Sequence, residues 1–258
     1  MASALALLLA ISAGLGGTLV QASRAQAEAR AAQSERDAAQ RELRYAEGSE
    51  AFMRFILSER SSKPFTTAAL LARADALVDT QYRQDAELRA RLQILVANLM
   101  AEQRNYKGAR LVLERVSMSA RQTQSRALLA EVECRLAELD AASGAAQAGE
   151  GRFDAAMRTL SEDARDDAAA LVTCYRGRAS VNARKLRPQA ALDDAQAALR
   201  LIGTPRPAQV QTVVALQMTR AAAQVATGQV GPAIETYEQQ LRVAESGTSG
   251  LGVMGSVI

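Results

Sequence analysis

The stretch Arg104-Asn105-Tyr106-Lys107-Gly108-Ala109 decides the fold, because its pattern returns three times further along the chain. It combines a turn-forming start, a bulky residue that can pack into the turn, and a small residue where two helices can touch. The other copies are Gly151-Arg152-Phe153-Asp154-Ala155-Ala156, Leu186-Arg187-Pro188-Gln189-Ala190-Ala191 and Gly228-Gln229-Val230-Gly231-Pro232-Ala233. This chemistry predicts helical hairpins. The closing alanines at positions 109, 156, 191 and 233 lie 47, 35 and 42 residues apart by subtraction.

The remainder of the chain also indicates an all-α protein. It contains no sustained apolar alternation bounded by turn residues, which is the signal of a strand. Thr66 or Thr67 can cap a helix that carries apolar residues on one face, and a second helix is predicted from about Asp85. Only 3% of the residues are aromatic, so the core must be built from Ala, Leu and Val.

The first twenty residues, Met1 to Val20, carry no charged side chain. As a helix they would be about 30 Å long, which matches the hydrocarbon thickness of a bilayer, and we predict a transmembrane helix at 1–20. A cleaved signal peptide, with Ala25-Gln26-Ala27 as its cleavage signal, is disfavoured because no basic residue precedes the apolar run. A buried core helix is disfavoured by the glycines Gly14, Gly16 and Gly17.

Residues 21–60 are predicted to form a long helical or coiled-coil stalk. Between Gln21 and Glu59 there is no proline, and Gly48 is the only glycine. Two interpretations remain open: a homodimeric coiled coil, and a single solvated helix supported by pairs such as Glu50 with Arg54. A heptad seam can be traced through Ala22, Ala25, Ala29, Ala32, Arg36, Ala39, Leu43, Ala46, Glu50, Met53 and Leu57.

Pro64 marks the boundary after the stalk, because proline disfavours helical geometry in the residue before it. A helical repeat domain is predicted at 61–246. From 247 to 258 the helical pattern gives way to glycines spaced among apolar residues. We therefore expect a disordered tail there, after a repeat array that is truncated.

The search for chemistry in the sequence gives no catalytic constellation. The chain has no histidine, so a His-Arg-Asp catalytic loop cannot occur in it, and the glycine cluster Gly14-Leu15-Gly16-Gly17 lacks the lysine of a phosphate loop. The carboxylate pairs Asp166-Asp167 and Asp193-Asp194 are typical of solvated helix surfaces. We assign no catalytic residue, and we expect no cofactor.

Charge and cysteine usage narrow the class of partner. The net charge is +3, and acidic and basic residues are interspersed, so no nucleic-acid partner is expected. Cys134 and Cys174 are too few for a disulfide framework and, without histidine, give no metal site. Each is predicted to be a small, semi-buried apolar residue.

The turn pattern resembles tetratricopeptide (TPR) repeats. The order of parts resembles the region that follows the kinase domain in bacterial membrane-anchored Ser/Thr protein kinases. Its elements are an apolar span, an Arg/Glu/Ala-rich helix, an apolar helix end, a proline loop, two further helices and TPR hairpins. In this chain they would be Met1 to Val20, Gln21 to Gly48, Phe52 to Leu57, Pro64, Thr66 to Leu71, Glu87 to Leu92 and Tyr106 to Ala109.

The resemblance implies a non-catalytic, membrane-anchored TPR-like module, the sensor or scaffold part of a signalling kinase whose catalytic domain lies outside this chain. A structural scaffold that oligomerises through the stalk, without a signalling role, is the alternative. Its partner would be a protein or peptide bound to the concave repeat face. Candidate contacts on that face are Gln93, Asn98, Arg178, Asn182, Gln217 and Gln224.

Two arguments about topology conflict. Arg24, Arg30 and Arg36 follow the apolar segment with no basic residue before it, which places the repeats in the cytoplasm. The resemblance places them outside, because the upstream kinase would be cytoplasmic. We favour the second argument and predict a single-pass protein of the bacterial inner membrane with its repeat domain in the periplasm.

Overall fold

The computed structural model describes residues 2–59, 66–161, 165–206 and 209–252, and within these ranges every regular element is an α-helix. This confirms the all-α prediction. The chain divides into two compact units, Met1–Pro64 and Phe65–Ile258. The helices are α1 (Ala2–Glu59), α2 (Thr67–Gln81), α3 (Ala86–Glu102), α4 (Tyr106–Gln122), α5 (Arg126–Ala142), α6 (Ala146–Met157), α7 (Arg165–Arg184), α8 (Pro188–Ile202), α9 (Val210–Ala226) and α10 (Val230–Gly252).

Helix α1 is the only element of the first unit within the described residues. The seam traced in the sequence is exposed from Ala25 to Met53, with Leu43 at 59% exposure. The expected pair is present, since Arg54 Nη2 lies 2.5 Å from Glu50 Oε1. Both side chains are exposed, so this pair adds little to stability. An exposed seam leaves both interpretations of the stalk open, and the homodimer stays a prediction.

The membrane prediction needs correction. Among the residues that the structure describes, no helix is long and apolar enough to cross a bilayer. The predicted transmembrane helix at 1–20 and the single-pass inner-membrane localisation with a periplasmic repeat domain are therefore wrong. The apolar run belongs to one continuous helix, and from Arg24 onward that helix carries charged side chains that are costly to place in hydrocarbon.

Four helical hairpins, α3/α4, α5/α6, α7/α8 and α9/α10, make up most of the second unit. In each hairpin three residues join the helices, and the middle one has a positive φ: Arg104 (59°), Gly144 (92°), Leu186 (56°) and Gly228 (80°). The next backbone N–H then donates to a carbonyl five residues earlier. These bonds run from Asn105 to Met100, Ala145 to Asp140, Arg187 to Asn182 and Gln229 to Gln224, at 2.8–3.0 Å. The Schellman geometry satisfies carbonyls at the helix end and reverses the chain.

The observed repeat is more regular than the predicted one. The second helices begin at Tyr106, Ala146, Pro188 and Val230, which are 40, 42 and 42 residues apart by subtraction. The predicted copy at 151–156 was misplaced, because those residues lie inside α6. The true turn is at 143–145, and Gly149 rather than Ala156 stands where Ala109 stands in the first hairpin.

The fourth residue of each second helix lies where the two helices of a hairpin touch. It is Ala109, Gly149, Ala191 or Ala233, and each is buried. The contact is closest in α5/α6, where a Cβ added to Gly149 would lie 2.7 Å from the carbonyl oxygen of Ala137. The side chain of Phe153, fully buried one turn further on, fills the space between α5 and α7. Its burial contributes about 2–3 kcal/mol.

A disulfide bond joins the second and third hairpins. Cys134 on α5 and Cys174 on α7 are both fully buried, with their Cα atoms 5.2 Å apart. The prediction that each is a small, semi-buried apolar residue is therefore wrong, because both are fully buried and joined to each other. A covalent link across 40 residues of sequence restricts the unfolded chain and stabilises the fold by about 4 kcal/mol in the chain-entropy treatment.

Both predicted helix starts are confirmed. The Thr66 hydroxyl accepts from Ala69 N at 3.2 Å, and the Asp85 carboxylate accepts from Leu88 N at 3.0 Å. At the other end of the chain, α10 continues to Gly252. It thus extends six residues into the segment 247–258 that was expected to be disordered, and the remaining residues of that segment lie outside those described.

Two glycines of α6 give a matched test of the hairpin packing. Replacement of Gly149 by Ala places a methyl group against the Ala137 carbonyl and should lower the free energy of unfolding by about 1–3 kcal/mol. Replacement of Gly151 by Ala meets no atom within 4 Å and should raise it by about 1 kcal/mol through helix propensity. Urea unfolding of the full chain measures both. Equal effects would contradict the assigned contact.

Candidate ligand-binding face of the first helices

Two cavities open on the face formed by the first helices α3, α5 and α7, which we call the first-helix face. The smaller, the N-terminal pocket, has a volume of about 200 Å³, and its lining includes Glu87, Arg91, Glu131 and Thr173. The larger, the arginine pocket, has a volume of about 320 Å³. Its polar and charged lining consists of Asn98, Glu102, Tyr106, Arg135, Glu138, Arg176 and Arg184.

Arg135 uses only part of its hydrogen-bonding capacity. Its Nη1 donates to Glu138 Oε1 at 3.1 Å, one turn further along α5. Its Nε is buried and has no hydrogen-bond partner among the described residues. A buried donor without a partner costs free energy, because it has lost its water and gained nothing in return. Arg135 Nε is therefore an unsatisfied donor enclosed by the protein.

Arg176 is a half-buried cation on α7. With the residues that the structure describes, its guanidinium forms neither a hydrogen bond nor an ion pair. Burial lowers the pKa of Arg176 below its ordinary value, and the charge of Arg135 lowers it further, while the Glu138 and Glu131 carboxylates act in the opposite direction. The fold thus holds this positive charge in an environment that disfavours it.

Gly177 explains how Glu138 comes to lie between α5 and α7. A Cβ added to Gly177 would be 2.5 Å from Glu138 Oε1, so a larger residue there would require the end of the Glu138 side chain to move. Glu138 therefore sits against α7 while it accepts from Arg135.

Arg178 shows the opposite case two residues later. It donates to Asp194 through Nε and Nη2, at 2.7–3.2 Å, and to Asp154 through Nη1, at 3.0 Å. Burial acts to lower the pKa of Arg178, but the hydrogen bonds and charge of Asp194 outweigh it, and the pKa is raised. Asn182 Nδ2 also donates to Asp194, at 3.0 Å. This cluster is internally satisfied and joins α7 to α8.

The six residues proposed as partner contacts fall into different environments. Gln93 is buried with its amide near Asp75, and Arg178 and Asn182 hold Asp194 inside the α7/α8 hairpin. Asn98 lines the arginine pocket. Gln217 lines an apolar cavity of about 380 Å³ bordered by α8, α9 and α10, and Gln224 is buried in α9. Side-chain oxygens of both glutamines lack a hydrogen-bond partner among the described residues.

Sequence reasoning missed Arg135 and Arg176, the residues that distinguish the first-helix face. In the sequence each looks like one more solvated charge on a helix. The available signal was Gly177, a glycine inside a helix without a turn, which indicates close approach of another element. That signal becomes specific only once α5 is known to pack against α7.

Comparison with known proteins adds no relative: the chain matches no protein-family model and no curated protein. Its class is therefore defined by its own architecture. It is an all-α protein with helical hairpins that repeat every 40–42 residues by subtraction.

The last hairpin carries an incomplete copy of the Arg178–Asp194 pair. Forty-two residues on by subtraction, Arg220 Nη2 donates to Thr236 Oγ1 at 2.9 Å, while Arg220 Nε is buried without a partner among the described residues. Burial lowers the pKa of Arg220. A threonine thus stands where the preceding repeat has a carboxylate.

Thr236→Asp should therefore raise the free energy of unfolding at pH 7 by about 1–2 kcal/mol, through a charge-assisted pair with Arg220. The pair lowers the folded-state pKa of the new carboxyl. Its contribution is present above the unfolded-state pKa of about 4 and is lost as the pH falls through the folded value. Thr236→Asn is the uncharged control and should gain little. Denaturant unfolding of both variants at pH 7 and pH 3 tests this prediction. A Thr236→Asp protein that is less stable than the parent protein at pH 7 would contradict the equivalence of position 236 with Asp194 in the preceding repeat.

Proposed function

We propose that the chain is a non-catalytic protein-interaction module with TPR-like hairpins, and that a segment of a partner protein binds along its first-helix face. One observation carries the proposal. The arginine pocket collects lining residues from α3, α4, α5 and α7, and within it the Arg176 guanidinium forms no hydrogen bond with the described residues. Donors left without partners in a cavity are the groups that a ligand can satisfy.

The repeat architecture supports the same proposal. Successive hairpins place their first helices side by side, so that side chains from several repeats can reach one extended ligand. The two pockets follow each other along α3, α5 and α7. A partner segment laid across these helices would contact both. The relationship to the region that follows the kinase domain of bacterial Ser/Thr protein kinases rests only on the order of the sequence segments and stays a prediction.

Site-specific photocrosslinking tests the interaction face. A benzoylphenylalanine at Thr173, which lines the N-terminal pocket, should crosslink a protein in source cells, and purification with that protein should give a saturable complex. The control is the same side chain at Glu114, an exposed position on the second helix α4. Equal crosslinking from both positions, or none from Thr173, would contradict the proposed surface.

A further inference from the structure

We propose that the arginine pocket binds the carboxylate of an Asp or Glu side chain in an acidic segment of the partner. The inference rests on the proposed function and names the chemistry of its ligand. Guanidinium groups match carboxylates in shape, because their planar forks can donate two parallel hydrogen bonds. Arg176 lines the pocket and offers such a fork.

The charges that line the pocket favour a single carboxylate over a polyanion. Arg135, Arg176 and Arg184 face Glu102 and Glu138, which leaves one positive charge in excess. Glu138 accepts from Arg135 and forms no hydrogen bond with Arg176, although its charge acts on that guanidinium. A run of phosphates would also meet Glu87 and Glu131 in the N-terminal pocket. One acidic side chain neutralises this excess.

The contrast between Arg176 and Arg178 indicates a ligand site rather than a structural pair. Both lie on α7, yet Arg178 is fully paired with Asp194 and Asp154, whereas Arg176 is half-buried without a partner among the described residues. A half-buried cation without a partner lowers the stability of the unbound protein. Such a loss of stability is common at residues that are needed for binding. Removal of Arg176 should therefore weaken binding and leave the fold at least as stable.

The test uses the full chain with nitrogen-15-labelled arginine, and two-dimensional NMR of the Nε–Hε signals. The probe is the capped peptide acetyl-Ala-Ala-Glu-Ala-Ala-amide, and its control is the same peptide with Gln in place of Glu. We expect saturable shifts of the Arg135 and Arg176 signals with a Kd in the millimolar range, and binding of the Gln peptide at least about tenfold weaker.

Two variants separate binding from folding. Arg176→Met should weaken binding of the Glu peptide at least about tenfold, while Tm stays the same or rises, because a half-buried charge without a hydrogen-bonded partner has been removed. Arg200→Met removes an exposed arginine from α8 and the same net charge, and it should change neither quantity. A fall in Tm for Arg176→Met, with peptide binding intact, would show a structural role and overturn the proposal.

Two other results would also overturn it. Equal binding of the Glu and Gln peptides would show that the carboxylate is not recognised. Inorganic phosphate that saturates the same signals more tightly than the Glu peptide would make the ligand a phosphate group instead. If Thr173 still crosslinks its partner in the Arg176→Met protein with undiminished yield, the interaction face stands and only the acidic ligand fails. Absence of any crosslink from position 173 in the otherwise unchanged protein would contradict the proposed function itself.

Discussion

The left-handed turn that closes every hairpin is the constraint on which the second unit depends. A helix can reverse within three residues only if its last carbonyls find donors and one residue takes a positive φ. Here the same turn recurs at Arg104, Gly144, Leu186 and Gly228, and also between α4 and α5 at Gln124. Because the turn length is constant, the fourth residue of each second helix always meets the first helix, and a small residue is needed there.

Arginine side chains of the second unit differ in how fully they are paired. Buried carboxylates hold arginines from neighbouring helices, as when Asp140 accepts from Arg110 at 2.6 Å and from Arg152 at 3.1 Å. On the first-helix face, Arg135 and Arg176 keep donors that the fold does not use. The stability of the hairpins, supported by the disulfide, allows the protein to retain this local cost.

The sequence was sufficient for the all-α class, for the Thr66 cap and for the start of α3 near Asp85, because turn residues and capping side chains act over three or four residues. It misplaced the second hairpin, since Gly151 with Phe153 imitates a turn followed by a bulky residue, whereas Gly144 carries the real turn. The disulfide was missed because two cysteines alone do not indicate a disulfide framework. With a period of 40–42 residues, cysteines 40 apart lie at nearly equivalent places on neighbouring first helices.

Other features were beyond local reasoning. An uncharged run such as 1–20 shows only that nothing in it opposes insertion into a bilayer, and the described helices include none able to cross one. The roles of Arg135 and Arg176 depend on which residues of α5 and α7 meet, and this is a property of the packed hairpins. Composition and periodicity carry no information about a donor that the fold leaves unpaired.

Substitution at the turn positions tests the account most directly. Arg104→Gly and Leu186→Gly relieve a positive φ in exposed residues, and each should raise the free energy of unfolding by about 1 kcal/mol. At the equivalent positions, Gly144→Ala and Gly228→Ala should each lower it by about the same amount, although neither added methyl group meets an atom within 4 Å. Urea unfolding of the four variants gives the comparison. Destabilisation by Leu186→Gly, or indifference to alanine at 144 and 228, would contradict the shared left-handed turn.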